Sequence, residues 1–309
     1  MVIPVLLAVF AAILWASTNH IDKYLISKAV KNADPRALIL VSTIIAGSAM
    51  ALIYLFICNF QLAFDYRSIL ILLFSSALYT VANIFWFKAL SRDDTTIVVI
   101  MFQLVPVFML FISPIVLSDQ AISAVQLVGS LLITLAAIFV AYEPSKKKLD
   151  KHKLVTLALM AFVSFGYAAW FIIQRYVNQN HDFNQTVLWQ NITLLVVGIF
   201  IYIFIKSYRQ AFQKMMKSNG PKVVGLNLLN ELANSFGGVA SNLAGTMASV
   251  ALVSFVSQGV QPFAVMLIGI LITKLFPKIE QEKITKKVVV RRAIMIVMCV
   301  IGLACIEFG

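Results

Sequence analysis

The sequence predicts an all-α membrane protein with ten transmembrane helices, and segment length, apolar content and charge distribution support this fold class. Hydrophobic residues make up 61% of the 309 residues, more apolar surface than a soluble domain of this size can cover with polar groups. A helix crosses the hydrocarbon layer with about 20 apolar residues. Ten segments approach that length, at 3–26, 36–59, 67–90, 95–117, 122–142, 153–176, 186–206, 221–244, 248–273 and 289–307.

Basic residues orient these segments. Of the 25 Lys and Arg residues, all except Arg67 and Arg175 lie in or beside the loops that follow odd-numbered segments. Loops rich in Lys and Arg stay in the cytoplasm. The sequence therefore predicts a multi-pass protein of the cell (plasma or inner) membrane with both termini extracytoplasmic. The net charge of +12 is explained by these flanking residues, so we expect a lipid bilayer as partner and no nucleic acid.

The chain lacks the common signatures of metal, cofactor and catalytic sites. Cys58, Cys299 and Cys305 are isolated, with no CxxC or Cys/His spacing. The phosphate loop GxxxxGK[ST] and the motifs HExxH and GxSxG do not occur. We expect no enzyme activity, no metal and no cofactor.

The ten segments divide into two similar halves. Trp15 and Tyr167 are 152 positions apart, and each precedes by nine positions the tyrosine of a basic–Tyr pair. Gln103 precedes Pro106 and Gln258 precedes Pro262 in the fourth and ninth segments. Because five crossings is an odd number, the second half enters the membrane from the opposite face, which gives inverted-topology repeats. The predicted domains are a first five-helix repeat (1–145), a basic cytoplasmic linker (146–152) and a second five-helix repeat (153–309). The alternative is that apolar segments resemble one another by composition alone.

The first half resembles the EamA domain of the drug/metabolite transporter superfamily. The resemblance rests on residues 83–90, the polar break 91–94, the span 95–117 with its internal Pro106, and residues 119–141. The second half resembles the same domain from 241 to 306. Where the family often has Leu-Gly-Glu after the fourth span, this chain has Leu-Ser-Asp at 117–119. The resemblance implies a ten-helix carrier with external termini and a central cavity lined mainly by the first four helices of each half, with the fifth and tenth as supports.

Glu231 is the only acidic residue near the middle of a predicted span. An ionisable side chain at the bilayer centre costs about 2.5–3.5 kcal/mol on insertion scales, so it faces protein or water. Asn227, Asn230 and Asn234 recur around it at helical spacing and continue a polar stripe. Two interpretations remain open: Glu231 binds substrate or carries a proton, or it only joins helices through hydrogen bonds to Asn and Gln.

Prolines and aromatic residues supply further candidates. Pro106 and Pro262 remove a backbone donor in mid-helix and permit a bend, with Gln103 and Gln258 beside them. Aromatic faces near an acidic group suit an organic cation, although core packing is the alternative role. The aromatic face comprises Tyr79, Trp86, Trp15 and Tyr167, with Asn83 between Tyr79 and Trp86. His20 and Asp22 are expected at the cytoplasmic boundary of the first helix.

Together these features predict a secondary transporter that works by alternating access. The expected solute is a small polar organic molecule, an amine, amino acid or related metabolite, with protons as candidate coupling ions; no mid-depth Lys or Arg is present to bind phosphorylated anions. The predicted site comprises Glu231, Asn227, Asn234, Asn83, Trp86, Tyr79, Gln103, Gln258, Trp15 and Tyr167. The alternative is a non-transporting scaffold or a lipid-binding or lipid-processing membrane protein. Substrate, direction, coupling and oligomeric state stay open.

The charge distribution predicts the sidedness of the loops. Loops near Arg67 and Asp182 should react with an impermeant thiol reagent in intact cells when each carries a single cysteine, because they are external. Cysteines placed at 146–153 and 278–287 should react only after permeabilisation. An amino terminus found in the cytoplasm would contradict the predicted orientation.

Overall fold

The computed structural model describes residues 2–29, 34–62, 65–117, 122–143, 148–149, 151–248, 250–278, 281–282 and 284–309. Almost all of this is helical. The helices are α1 (Val2–Tyr24), α2 (Pro35–Leu40), α3 (Gly47–Ile57), α4 (Tyr66–Arg92), α5 (Thr95–Phe102), α6 (Leu104–Leu117), α7 (Ala124–Ala141), α8 (Lys151–Asn178), α9 (Phe183–Phe204), α10 (Lys206–Met247), α11 (Val250–Leu275) and α12 (Lys286–Phe308). Between α7 and α8, strands β1 (Tyr142–Glu143) and β2 (Lys148–Leu149) pair antiparallel.

Two π-helical segments modify the first two spans. Leu25–Ala29 extends α1, and Val41–Ala46 joins α2 to α3, so α2 and α3 form one continuous span. Similarly, α5 and α6 form one span that is interrupted only at Gln103. Within the described residues, nine helical segments are long and apolar enough to cross a membrane. These nine correspond to nine of the ten predicted spans, and the fold defines a multi-pass helical membrane protein.

The remaining predicted span lies inside α10. This helix has 42 residues and is about 63 Å long at 1.5 Å per residue, so it exceeds the roughly 30 Å of hydrocarbon. Residues 207–220 were expected to form a loop, and that expectation is wrong because the helix continues through them and through Pro221. The polar stripe around Glu231 lowers the hydropathy of α10 below that of the other spans. A tenth crossing therefore stays a prediction.

The helices of the two predicted halves pack reciprocally. Helix α1, first in the first half, packs against α10 and α11, which hold the third and fourth positions of the second half. Helix α8, first in the second half, packs against α4, which is the third span of the first half. It also packs against α5 and α6, which together form the fourth span. Helix α7 packs against its counterpart α12, and α3 against its counterpart α9. The main buried apolar cluster draws residues from α1, α4, α5, α8, α10 and α11, and also from α2, α7 and α12.

Two glycines lie at the crossing of α7 and α12. A Cβ atom added at Gly129 would lie 2.4 Å from the carbonyl oxygen of Gly302, and one added at Gly302 would lie 2.6 Å from the carbonyl oxygen of Gly129. Only residues without side chains allow two helix backbones to approach this closely. The glycines therefore set the spacing of the fifth and tenth predicted spans.

The loop before α4 is held by Asp65. Its carboxylate accepts a hydrogen bond from the backbone N–H of Ser68 at 2.9 Å and caps the helix. Its Oδ2 also lies 2.9 Å from Nε2 of His181 in the α8–α9 loop. The hydrogen bond from Ser68 lowers the pKa of Asp65 to about 2. This carboxylate is far from the core, and it serves below as a control.

The glycine crossing predicts a stability effect. Gly129→Ala should lower the free energy of unfolding by about 1–3 kcal/mol, because the added methyl group meets a backbone that cannot move aside. The measurement is thermal unfolding of the purified protein in detergent. Gly225→Ala is the matched control, since nothing lies within 4 Å of a Cβ added at that position of α10. Equal melting temperatures for the two variants would contradict the prediction.

Candidate functional site

Asp22 is the centre of a polar site shared by α1, α4 and α10. Its Oδ2 accepts a hydrogen bond from Nε1 of Trp86 at 3.0 Å, and its Oδ1 accepts one from Nδ2 of Asn230 at 2.7 Å. Both donors are buried, with 5% and 4% of their surfaces exposed. The sequence places Asp22 at the cytoplasmic boundary and outside the candidate site, whereas the structure bonds it to a predicted site residue, Trp86. The sequence feature that could have placed Asp22 in the candidate site is its acidic side chain, at the polar end of a predicted span.

Glu231 follows Asn230 directly, and Asn227 lies one turn earlier on the same helix. Asn227 is fully buried and exchanges hydrogen bonds with Ser42, Nδ2 to Oγ at 3.2 Å and Oγ to Oδ1 at 3.4 Å. Ser42 also lies near the Glu231 carboxyl. Ser42 belongs to the π-helical segment Val41–Ala46, and such interruptions occur frequently at functional sites. The predicted residues Asn227 and Glu231 therefore meet the second span at Ser42, which the sequence did not single out.

The aromatic candidates also come together. The hydroxyl of Tyr167 donates to Oδ1 of Asn83 at 3.0 Å, and Nδ2 of Asn83 donates to the carbonyl of Tyr79 at 2.9 Å. The Tyr79 and Tyr167 ring centroids are 5.3 Å apart. Phe102 joins them to Trp86, with its ring 5.0 Å from Tyr167 and 5.3 Å from Trp86. The structure thus forms one aromatic cluster from Tyr79, Trp86, Phe102 and Tyr167, of which the sequence missed Phe102.

Helix α10 presents two different faces. Leu229 and Phe236 are 63% and 64% exposed, as lipid-facing side chains would be. Asn234 is also exposed, but it lies about 140° around the helix from Leu229, on the face that carries Glu231. Nε1 of Trp15 donates to the Asn234 carbonyl at 3.2 Å, and its indole packs against Gly237. The exposed polar face of α10 at Asn234 therefore points in a different direction from its apolar face.

Gln103 and Gln258 lie apart from the acidic residues. Gln103 is buried at the break between α5 and α6. Gln258 donates to Ser254 at 2.9 Å, and Ser254 donates to Glu307 at 2.6 Å near the end of α12. The structure therefore does not connect Gln258 to Asp22 or Glu231 by hydrogen bonds.

The two prolines have different surroundings. The carbonyl of Phe102, four residues before Pro106, accepts a hydrogen bond from Oγ of Ser164 at 3.5 Å. This is the carbonyl that Pro106 leaves without its helical donor. Helix α11, in contrast, runs through Pro262 without interruption. Of the two prolines, only Pro106 lies near an interruption of its helix.

A charged network lies at the end of the bundle that is predicted to be cytoplasmic. Arg292 of α12 pairs with both Glu282 and Asp94, and Arg292 and Glu282 are each only 6% exposed. Glu282 also accepts hydrogen bonds from Thr96, N–H at 3.0 Å and Oγ1 at 2.7 Å, at the start of α5. The sequence did not predict this network, because Glu282 lies in a predicted basic loop and Arg292 lies near the start of the tenth predicted span. The network ties the start of α5 to α12.

Hydrogen-bonded pairs recur between the two halves. Ser42 pairs with Asn227, and Ser76 pairs with Thr193 at 2.8 Å. Ser42 and Thr193 are 151 positions apart, and so are Ser76 and Asn227. Each pair therefore joins the second span of one half to the third span of the other.

A second recurrence involves the aromatic residues of the sequence repeat. Trp15 donates to Asn234, and Tyr167 donates to Asn83. Asn83 and Asn234 are 151 positions apart, and Trp15 and Tyr167 are 152 apart. Each bond joins the first span of one half to the third span of the other. The acids do not recur, since the positions 152 after Asp22 and 151 before Glu231 are Gln174 and Thr80.

Across the residues that the structure describes, no group of three or more His, Cys, Asp or Glu side chains is arranged to hold a metal ion. The candidate site contains carboxylates, carboxamides, hydroxyls and aromatic faces. These groups can bind a positively charged organic solute through hydrogen bonds, Coulomb attraction and cation–π contacts.

Comparisons with known proteins agree with a multi-pass helical membrane protein. Residues 2–142 match the model of the EamA-like transporter family, which confirms the resemblance of the first half to the EamA domain. A solved structure described only as "Crystal structure of protein" is similar with a TM-score of 0.54 and 12% sequence identity, over 98% of this chain and 95% of that chain. At that identity the likeness concerns the fold alone. A search of curated proteins found no match.

The two faces of α10 predict different labelling. In a variant without Cys58, Cys299 and Cys305, Asn234→Cys should react with a small hydrophilic thiol reagent, because this position is exposed on the polar face. Leu229→Cys is the matched control on the lipid side and should react only with a membrane-permeant apolar maleimide. Mass spectrometry of the labelled protein measures both. Inert Asn234→Cys in otherwise active protein would contradict a water-accessible polar face.

Proposed function

We propose that the protein is a secondary transporter of a small polar organic solute that carries a positive charge, an amine, an amino acid or a related metabolite. The observation that carries this proposal is the location of Asp22 and Glu231. Two carboxyl groups belong to helices of opposite halves, and aromatic rings and carboxamides surround them. The match of residues 2–142 to a transporter family supports the same class of function.

Alternating access between two inverted repeats is the proposed mechanism. Support comes from the reciprocal packing of the halves and from hydrogen-bonded pairs that recur after 151 or 152 positions. An odd number of crossings in each half inverts one relative to the other. The charged network of Arg292, Glu282 and Asp94 ties α5 to α12 at one end of the bundle, whereas Asn234 is exposed on the polar face of α10. We infer that the described conformation is closed toward the cytoplasm, and that breaking the network accompanies opening on that side.

The charges of the site support a cationic solute over an anionic one. The ion pairs of Arg36 and Arg292 are made with Asp34, Asp94 and Glu282. Asp22 is bonded instead to the neutral donors of Trp86 and Asn230. A phosphorylated solute would meet two carboxylates with no compensating cation. Protons are the proposed coupling ions, because a carboxyl group can release and take up a proton as the site changes its exposure.

A second candidate function is lipid binding, favoured by an apolar crevice of about 540 Å³ at the membrane-facing surface. The crevice lies between α4, α6 and α8, and Arg67 is at its rim together with Tyr66 and Tyr176. An acyl chain would fit the apolar lining, with an anionic headgroup near Arg67. This candidate does not use the buried carboxylates.

The test is transport by purified protein in liposomes. Pooled radiolabelled amines, amino acids and nucleosides are offered with and without an imposed pH gradient. Uptake of a cationic or zwitterionic solute that depends on the protein would support the proposal. Uptake of none of the pools, together with co-purified phospholipid bound near Arg67, would replace it with the lipid-binding function.

Glu231→Gln should reduce transport of the solute so identified by roughly tenfold or more, since removing one partner of a buried charge pair costs about 2–5 kcal/mol. Glutamine keeps the size and a hydrogen-bonding side-chain carbonyl but cannot release a proton. The remaining activity should therefore vary little with pH, whereas wild-type activity should vary. Asp65→Asn, which also removes one carboxylate and keeps a helix-capping residue, is the control. Wild-type rates and an unchanged pH profile for Glu231→Gln would assign Glu231 a purely structural role.

A further inference from the structure

Asn230 has an unused hydrogen-bond acceptor inside the site. Its Nδ2 donates to Asp22 at 2.7 Å, whereas its Oδ1 is buried with no partner among the described residues. The whole side chain is only 4% exposed. A buried acceptor without a donor is unfavourable, and native proteins rarely retain one without a reason. The position of this oxygen, beside Asp22 and one residue before Glu231, points to a ligand that donates hydrogen bonds.

The groups around this oxygen are mainly acceptors. Asp22 receives two hydrogen bonds, which leaves lone pairs on both of its oxygens. Glu231 supplies a second carboxyl group, on the residue after Asn230. The two donors that contact Asp22, Nε1 of Trp86 and Nδ2 of Asn230, are used by that contact. A ligand bound by these three side chains would therefore supply N–H or O–H donors together with positive charge.

We infer that Asp22, Asn230 and Glu231 form a subsite for a primary ammonium group, which distinguishes primary amines from their N-methylated forms. This inference rests on the proposed transport of a cationic solute. A primary ammonium has three N–H donors, one for each of the three acceptor side chains. Each N-methyl group removes one donor and leaves one buried acceptor unpaired. The subsite thus adds a specificity that charge alone does not give.

The aromatic cluster offers an alternative, a preference for N-methylated amines over primary amines. Cation–π attraction needs no hydrogen bonds, and aromatic cages bind quaternary ammonium groups well. If Tyr79, Trp86, Phe102 and Tyr167 alone recognised the cation, methylation would be tolerated or favoured. Because Nε1 of Trp86 is bonded to Asp22, the indole edge rather than its face is directed at the carboxylate. The rings are therefore placed to contact the organic substituent of the amine, and the acceptors its nitrogen.

The experiment measures binding of phenethylamine and of its N-methyl, N,N-dimethyl and N,N,N-trimethyl derivatives to the full-length protein in detergent. All four are cations at neutral pH, so charge stays constant while the number of donors falls from three to none. A parallel series derived from butylamine tests whether the order of affinities depends on the aromatic ring of the ligand. Isothermal titration calorimetry should show affinity falling by roughly tenfold for each donor lost, as expected when a buried acceptor is left unpaired.

Two variants link the selectivity to the named residues. Asp22→Asn and Asn230→Leu should bind the primary amine more weakly. They should also reduce the difference in affinity between the primary and quaternary amines. Asp65→Asn should retain the wild-type order. If the two variants fail to fold, the wild-type series alone decides. Equal affinity across the wild-type series, tighter binding of the quaternary member, or no binding in either series would overturn the inference.

The outcome for transport is separate. Transport of a neutral or anionic solute, with no amine binding, would overturn this subsite and the cationic solute, and would leave secondary transport itself standing. Graded binding of the amines without transport of any tested solute would overturn the transporter proposal and support the subsite.

Discussion

Enclosing two carboxylates among apolar helices is the constraint on which the organisation of this protein depends. Such side chains need protein or water around them, because an acidic group exposed to lipid at the bilayer centre would cost about 2.5–3.5 kcal/mol on insertion scales. The face of α10 that carries Glu231 must therefore turn inward, and Leu229 and Phe236 turn outward as a result. Asp22 fixes α1 against that same face through Asn230 and against α4 through Trp86. Three helices from two halves are thus oriented by one polar site.

Local sequence was sufficient to predict most of the fold. Apolar length identifies spans because the membrane requires about 20 residues whatever they contact, and nine of the predicted spans correspond to apolar helices among the described residues. The eighth span is the exception, because its hydropathy is lowered by the residues that form the site. The helical course of 207–220 was missed for a related reason: its polar and basic composition is typical of a loop, whereas an extension of an existing helix needs no apolar face of its own.

A common helix face could be read from the sequence for part of the candidate site. Tyr79, Asn83 and Trp86 have helical spacing, so their common face can be read from the sequence, and the structure joins them to Tyr167. Asp22 could not be placed in this way, because its partners Trp86 and Asn230 are 64 and 208 positions away along the chain. Gln258 was included because it precedes a proline as Gln103 does. Its bonds lead to Ser254 and Glu307 instead, since similar local motifs in two repeats need not line the same surface.

The pairing of Gly129 with Gly302 has a mechanical consequence. At most helix crossings a layer of side chains separates the backbones, and a change of rotamers lets one helix slide along the other. At this crossing each backbone carbonyl occupies the space that a side chain of the partner would need, so there is no adjustable layer. The crossing therefore resists translation of α7 along α12 while leaving their relative tilt free. If the two predicted halves move relative to each other, we therefore expect them to rock about this contact and not to slide along it.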